Sequence, residues 1–169
     1  MFENIVVATD GSENSKRALE VGAKLAAACN GRLTVVHVAP TYLALEEAEQ
    51  ASDLPQPAKD EIKRVRDAIS GFDMSIVAPL PAPQSAIEFL GNAVLDRAND
   101  TVRECGIKEI SRVLAQGDAA EEIVAAAETA KADLIVIGSR GLSDLEGLVM
   151  GSVSHKVIHL AKCPCVTVK

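Results

Sequence analysis

The stretch DLIVIGSRG, residues 133–141, decides the fold of this sequence because it sets an apolar strand directly against a glycine loop. Leu134–Ile137 is a continuous apolar run, which is typical of a parallel strand covered on both faces. Gly138 and Gly141 end that run, and a final helix is predicted to begin at Ser152. Strand, glycine loop and helix in this order form the unit from which doubly wound α/β sheets are built.

The same alternation of strand and helix extends over most of the chain. Apolar runs predict strands over 4–9, 33–38, 110–115, 133–137 and 165–168, and helical periodicity predicts helices over 14–29, 87–105 and 152–161 and a helix opening at Asp118. Asn30 and Gly106 are placed to end two of these helices. Right-handed crossovers put helices on both faces of a parallel sheet. We therefore predict a doubly wound α/β fold with a five-stranded parallel sheet of order 3-2-1-4-5.

The segment 42–84 interrupts this alternation. It carries most of the 7 prolines, an acidic stretch at 46–49 and a plausible helix near 59–69. We interpret it as an insertion in a single domain that spans residues 1–169. Such an insertion can be a lid, a partner surface or a tolerated loop, and the sequence leaves these alternatives open.

Composition excludes several classes of function. The net charge is −7, with one Tyr, three Phe and no Trp, so the chain has neither the basic stripe nor the stacking aromatic residues of nucleic-acid binders. No apolar run approaches the roughly 20 residues of a membrane span, and no charged leader precedes the first strand. We expect an unexported, cytoplasmic protein whose four cysteines are reduced thiols.

The predicted sheet order also locates a ligand site. In such a sheet the ligand lies beyond the carboxyl ends of the strands, where the strand order reverses. Asp10 ends the first strand and Gly138 ends the fourth, so both border this crevice. A carboxylate there can accept hydrogen bonds from a ribose, although Asp10 can also form an Asx turn. The loop, the helix start and the hydroxyls of Ser152 and Ser154 can meet phosphates, yet the loop is neither a Walker A motif nor G-x-G-x-x-G.

The spacing Gly138-x2-Gly141-x9-Gly151-Ser152 resembles the ATP-binding signature of the universal stress protein family. Four further segments resemble that family in the same order, namely IVVATDGS at 5–12, LTVVHV at 33–38, the turn at Gly117 and VSHKVIHLAKCPCVTV at 153–168. The resemblance covers nearly everything outside residues 42–84. It implies the family's fold and an adenine-nucleotide site.

The resemblance also implies roles for individual residues. Asp10 would hold the ribose, the backbone of Val38 would meet the adenine, and Thr9 and Ile137 would line the site at their strand ends. The phosphates, with Mg²⁺, would be surrounded by Gly138, Arg140, Gly141, Gly151, Ser152, Val153 and Ser154. The ligand would be ATP, ADP or AMP, and the family forms homodimers through its last strand, here 165–168. Asp144 and Glu146 depart from this picture, because acidic side chains oppose a triphosphate.

Three functions remain open from the sequence. The leading hypothesis is a nucleotide-dependent regulatory or stress-response module whose occupancy alters the dimer or a partner surface. The second is a slow ATPase or phosphotransfer enzyme at the same site, although no general base stands out beside Asp10 and Arg140, and we assign no catalytic residue. The third is a nucleotide-independent interaction module that uses the insertion.

Other polar residues receive structural interpretations. His37, inside a strand, is interpreted as a satisfied core histidine, and the thiols of Cys163 and Cys165 as apolar packing. His155 and His159 are four residues apart but lack the Glu of H-E-x-x-H, so the pattern favours no metal site. Residues 15–17, which are Ser, Lys and Arg, are expected to form a solvated helix start.

Overall fold

Strands and helices alternate along the chain as the sequence predicts. The computed structural model describes residues 2–39, 56–73, 84–141 and 150–169. The strands are β1 (Asn4–Ala8), β2 (Arg32–Ala39), β3 (Ser111–Gln116), β4 (Leu134–Gly138) and β5 (Cys165–Val168). The helices are α1 (Glu13–Cys29), α2 (Gln56–Ile69), α3 (Gln84–Glu104), α4 (Ala119–Thr129) and α5 (Ser152–Leu160).

All five strands pair in parallel in the order β3-β2-β1-β4-β5, which confirms the predicted fold class. On one side of β1, Asn4 lies opposite Arg32 of β2, and on the other side Ile5 lies opposite Leu134 of β4. α1, which follows β1, and α5, which follows β4, pack on opposite faces of the sheet. A crevice therefore opens beyond their carboxyl ends.

Helices cover both faces of the sheet, and alternate residues of the central strands point to opposite faces. On the first face, α1 and α3 pack on a cluster that includes Ile5, Val7, Val35 and Val136. On the second face, α4 and α5 pack on Val6, Ala8, Val36, Ile135 and Ile137. This double burial explains why the strands read as continuous apolar runs rather than as alternating ones.

The helix ends follow local side-chain chemistry. Ser12 caps α1 by accepting the N–H of Ser15, and Asn30 ends that helix in the left-handed conformation with φ 53°. Asp118 caps α4 by accepting the N–H groups of Ala120 and Glu121. None of the helices in the described ranges combines the length and the apolarity that a bilayer crossing requires.

The insertion contributes a packed helix. Ile62 and Val65 of α2 are buried against Ile87 and Leu90 of α3 and form a third, smaller apolar cluster. α2 begins at Gln56, earlier than the predicted helix, and α3 begins at Gln84, which the sequence analysis placed at the end of the insertion. The acidic stretch at 46–49 lies outside the described residues.

Gly22 lies where α1 presses on β1, and its missing side chain is required there. A Cβ at residue 22 would overlap Cγ2 of Val7 and would lie 3.8 Å from Cδ1 of Leu33. Val7 is fully buried and β-branched, so it cannot rotate away freely. We expect Gly22→Ala to lower the free energy of unfolding by about 1–3 kcal/mol, measured by urea denaturation, although Ala is the better helix former.

Two variants control this experiment. Gly71 has no atom within 4 Å of an added Cβ, so Gly71→Ala should leave the stability nearly unchanged. In a Val7→Ala background the overlap disappears, and Gly22→Ala should then cost much less than in the wild type. An equal cost in both backgrounds would contradict the packing explanation.

Candidate functional site

Asp10 directly follows β1, and its two carboxylate oxygens have different surroundings. Oδ1 accepts the N–H of Ser12 at 3.0 Å, which forms an Asx turn at the start of α1. Oδ2 lies beside Gly141, so close that a Cβ at residue 141 would overlap it. The structure thus brings together Asp10 and Gly141 from two separate loops, and the present position of Oδ2 leaves no room for a Cβ at residue 141.

Thr9 fixes the end of β1 immediately before Asp10. Its Oγ1 lies 3.2 Å from Oγ of Ser15 and accepts the N–H of Gly11 at 3.3 Å. Its carbonyl oxygen lies 2.8 Å from Nδ1 of His37, which is 5% exposed. His37 is therefore a satisfied core histidine, as predicted, and Asp10 follows a backbone that is held by both β2 and α1.

Ser139, which the sequence analysis did not single out, joins three elements behind the glycine loop. Its N–H donates to the carbonyl of Val168 in β5 at 2.6 Å. Its carbonyl accepts the N–H of Gly151 at 2.7 Å and the hydroxyl of Ser154 at 2.9 Å. One buried residue therefore sets the positions of β4, β5 and the first turn of α5 relative to one another.

The first turn of α5 supplies backbone donors at the other side of the loop. Gly151 is the N-cap and provides no side-chain hydrogen bond to the turn. The first N–H groups of a helix have no partner within the helix and carry its positive dipole end, so this turn suits an anion. Ser154 is buried, and its hydroxyl donates to the carbonyls of Ser139 and Gly151. It supports the loop from behind.

Gly138 has a packing reason of its own. A Cβ at residue 138 would lie 3.0 Å from the backbone carbon of Asn14 in α1 and 3.0 Å from the carbonyl oxygen of Arg140. Because residue 138 is a glycine, the first turn of α1 can approach the end of β4. Sequence alone does not separate this steric requirement from the phosphate contact that the motif suggests.

The remaining predicted site residues lie near the ends of β2 and β4 and in the first turn of α5. Val38 in β2 and Ile137 in β4 pack in the apolar cluster beneath α4 and α5. Arg140 is half-buried between Ser139 and Gly141, and Ser152 and Val153 are exposed in the first turn of α5. The acidic residues at 144 and 146 lie outside the described residues.

The prediction of a solvated helix start is wrong at Ser15. Lys16 and Arg17 are exposed, but Ser15 is only 3% exposed, and its hydroxyl donates to the carbonyl of Ser12 at 2.9 Å. Its Oγ also meets Oγ1 of Thr9. The sequence did offer a signal for this contact. Thr9 ends a strand and Ser15 lies in the first turn of the next helix, so their hydroxyls, six residues apart, can meet where the two elements join.

Lys156 ties α5 to α4 beside the crevice. Its ammonium group lies 2.9 Å from Glu121 Oε1 and 3.0 Å from Asp118 Oδ2. The backbone N–H of Glu121, followed by Lys156, lowers the pKa of Asp118 below its usual value. All three side chains are largely solvent-exposed, so these ion pairs orient the helices and add little to stability.

Comparisons with known proteins agree on one family. The model of the Universal stress protein family matches residues 1–169. The stress response protein NhaX of Bacillus subtilis is 32% identical over 168 residues, covering 99% of this chain and 98% of its own length. A universal stress protein solved in complex with cAMP is 25% identical with a TM-score of 0.61, covering 99% of this chain and 97% of its own. The Archaeoglobus fulgidus universal stress protein in complex with dAMP, 21% identical with a TM-score of 0.63, shares the fold over 99% of this chain and 98% of its own.

The buried His37 predicts a pH-dependent stability. Burial lowers the pKa of His37 below its usual 6.5, while the Thr9 hydrogen bond and the charge of Asp10 offset part of this effect. Below pH 6.5 the unfolded chain binds a proton that the folded protein excludes. The neutral His37 therefore costs no stability above pH 6.5. As the pH falls from 6.5 toward the lower pKa of His37 in the folded protein, the free energy of unfolding decreases by at most about 1.4 kcal/mol per pH unit.

Urea unfolding at about pH 7.5 and about pH 5.5 tests this prediction. His37→Asn keeps a side-chain donor near the position of Nδ1 but does not titrate, so its stability should decline less with acid than that of the wild type. The control is Gly71→Ala, which leaves all three histidines in place and adds a Cβ that meets no atom within 4 Å, so it should keep the wild-type decline. Equal declines in all three proteins would contradict the prediction.

Proposed function

Since this chain belongs to the universal stress protein family, we propose that it binds an adenine nucleotide in the crevice between the ends of β1 and β4. The single observation that carries the proposal is the close approach of Asp10 Oδ2 to Gly141, where an added Cβ would overlap this oxygen. It brings the ribose-binding candidate and the phosphate-binding candidate to one point. The nucleotide complexes of two solved relatives, one with cAMP and one with dAMP, agree with this ligand class.

The backbone at the glycine loop suits the phosphates. The N-cap Gly151 leaves the first-turn N–H groups without a side-chain cap. The N–H of Gly151 and the hydroxyl of Ser154 donate to the carbonyl of Ser139, and these bonds hold that turn in place. A preorganised set of N–H donors stabilises an anion without rearranging first. The exposed hydroxyl of Ser152 and the guanidinium of Arg140 are the further groups that we assign to phosphate binding.

The nucleoside would lie across the ends of β1, β2 and β4. Asp10 would accept hydrogen bonds from the ribose hydroxyls, because a carboxylate only accepts. The adenine would stack beside Thr9, Val38 and Ile137 and be read by the backbone of β2. Mg²⁺, where a triphosphate binds, would be held mainly by phosphate oxygens and water, which is its usual coordination in nucleotide sites.

We further propose that nucleotide occupancy regulates association through β5. The carbonyls of Pro164 and Val168 face β4, so by alternation the backbone groups of Cys165 and Thr167 face the free edge of the sheet. That edge also exposes Val166. Ser139 links it to the glycine loop, because this residue bonds to Val168 on one side and to Gly151 on the other.

Nucleotide binding is tested by titration calorimetry with ATP and Mg²⁺, and with AMP. Gly141→Ala should displace the Asp10 carboxylate, and Asp10→Ala removes it, so each should weaken ATP binding at least tenfold, about 1.4 kcal/mol. ATP should bind more tightly than AMP if the loop meets the outer phosphates. Thermal unfolding should show the same order, since a ligand at about a hundred times its dissociation constant adds ~2.7 kcal/mol to the folded state.

The control for this experiment is Gly71→Ala, the same chemical change in a turn far along the chain from the site. It should bind ATP as the wild type does. The proposal fails if wild-type protein that has been stripped of nucleotide binds neither ATP nor AMP, or if Gly141→Ala binds both with unchanged affinity.

The dimer is tested at Thr167. Its N–H faces the free edge, so Thr167→Pro removes a donor from that edge and leaves the β4 ladder intact. We expect sedimentation to show that the wild type is a dimer and that Thr167→Pro is a monomer. The circular dichroism spectrum of Thr167→Pro should be unchanged. The control Thr167→Val keeps the N–H and should remain a dimer. If nucleotide occupancy regulates this association, ATP should shift the dimer dissociation constant of the wild type. A Thr167→Pro protein that dimerises as the wild type does would exclude this edge.

A further inference from the structure

The two histidines of α5 meet on its exposed side. Nε2 of His155 lies 3.3 Å from Nε2 of His159, and the ring centroids are 4.5 Å apart with an interplanar angle of 69°. Both side chains are exposed, whereas Ser154 and Val157 form the buried face of the same helix. The metal-binding atoms of the two rings therefore converge at the protein surface.

The distance between the two nitrogens allows both to reach one metal ion. A tetrahedral Zn²⁺ holds imidazole nitrogens at about 2.0–2.1 Å, which puts two ligand nitrogens about 3.3–3.4 Å apart. The 3.3 Å separation is near this value but is also that of a hydrogen bond between the rings, so it shows that both nitrogens can reach one ion and not which ion. The sequence pattern alone favours no metal site here, because the Glu of H-E-x-x-H is missing. From the geometry of the two rings we propose that His155 and His159 form a surface site for a divalent transition metal of the zinc class.

A change of tautomer in one ring frees both nitrogens for a metal ion. In the metal-free protein one ring can donate its Nε2–H to the Nε2 of the other. Metal binding needs the lone pairs of both Nε2 atoms. The donor ring therefore gives up its Nε2 proton and takes a proton on Nδ1 instead, by exchange with water. Each neutral imidazole keeps one proton, and no net proton is released.

The site has two protein ligands in the part of the chain that the structure describes. No group of three or more His, Cys, Asp or Glu side chains converges on one point within those ranges. Water completes the coordination in the isolated protein. Both ligands belong to one nine-residue helix, whose register is fixed by its buried face, so the folded chain presents them together and the unfolded chain does not.

Zinc titration of nucleotide-free protein tests the proposal, with the imidazole nitrogens followed by long-range ¹⁵N–¹H NMR and the affinity followed by calorimetry. The Nε2 signals of His155 and His159 should shift together, and those of the buried His37 should not. His155→Ala and His159→Ala should each weaken the binding at this site at least tenfold.

The matched control preserves composition. Leu160 is exposed, so the double change His159→Leu with Leu160→His keeps both imidazoles on the helix surface but moves them to a spacing of five residues. Chelation predicts that this variant loses zinc binding as His159→Ala does. The proposal is overturned if the variant binds as the wild type does, or if zinc binds only at the thiols and leaves both imidazole signals unchanged.

Discussion

Burial of the central strands on both faces is the constraint on which the rest of the structure depends. Val6 and Val7 are fully buried on opposite faces of β1, so this strand has no side on which a polar side chain could meet water. The polar side chains around β1 are therefore confined to its two ends. Thr9, Asp10 and Ser139 all stand just beyond a strand end, and together they border the crevice.

The fold was predictable because each element carries its own local signal. The apolar runs of β1 and β4, the αL cap at Asn30 and the Asp118 cap are each visible within a few residues. The packing of α2 on α3 was not predictable from the sequence, because Ile62 and Val65 meet Ile87 and Leu90 across a long connection. A periodic pattern indicates which face is apolar but not what covers it.

The candidate site was predictable in part. Asp10 and Gly141 were expected at one crevice, and the structure puts them in contact. The hydroxyl pair of Thr9 and Ser15 and the central position of Ser139 were missed, because serine is mostly a surface residue and its presence alone does not indicate a buried network. Gly138 also packs against α1, so a glycine at this position of the motif is explained by helix packing as well as by a ligand contact.

The cluster beneath α2 has a consequence for how the molecule opens. It is centred on Ile62 and Val65 and shares only the half-buried Leu114 with the main core, among the described residues. α2 can therefore detach from α3 while every strand of the sheet stays paired. Such a subglobal opening costs less free energy than complete unfolding, so the backbone amides of α2 exchange with solvent earlier than those of β1. We therefore expect α2 to open as a peripheral unit while the sheet stays folded.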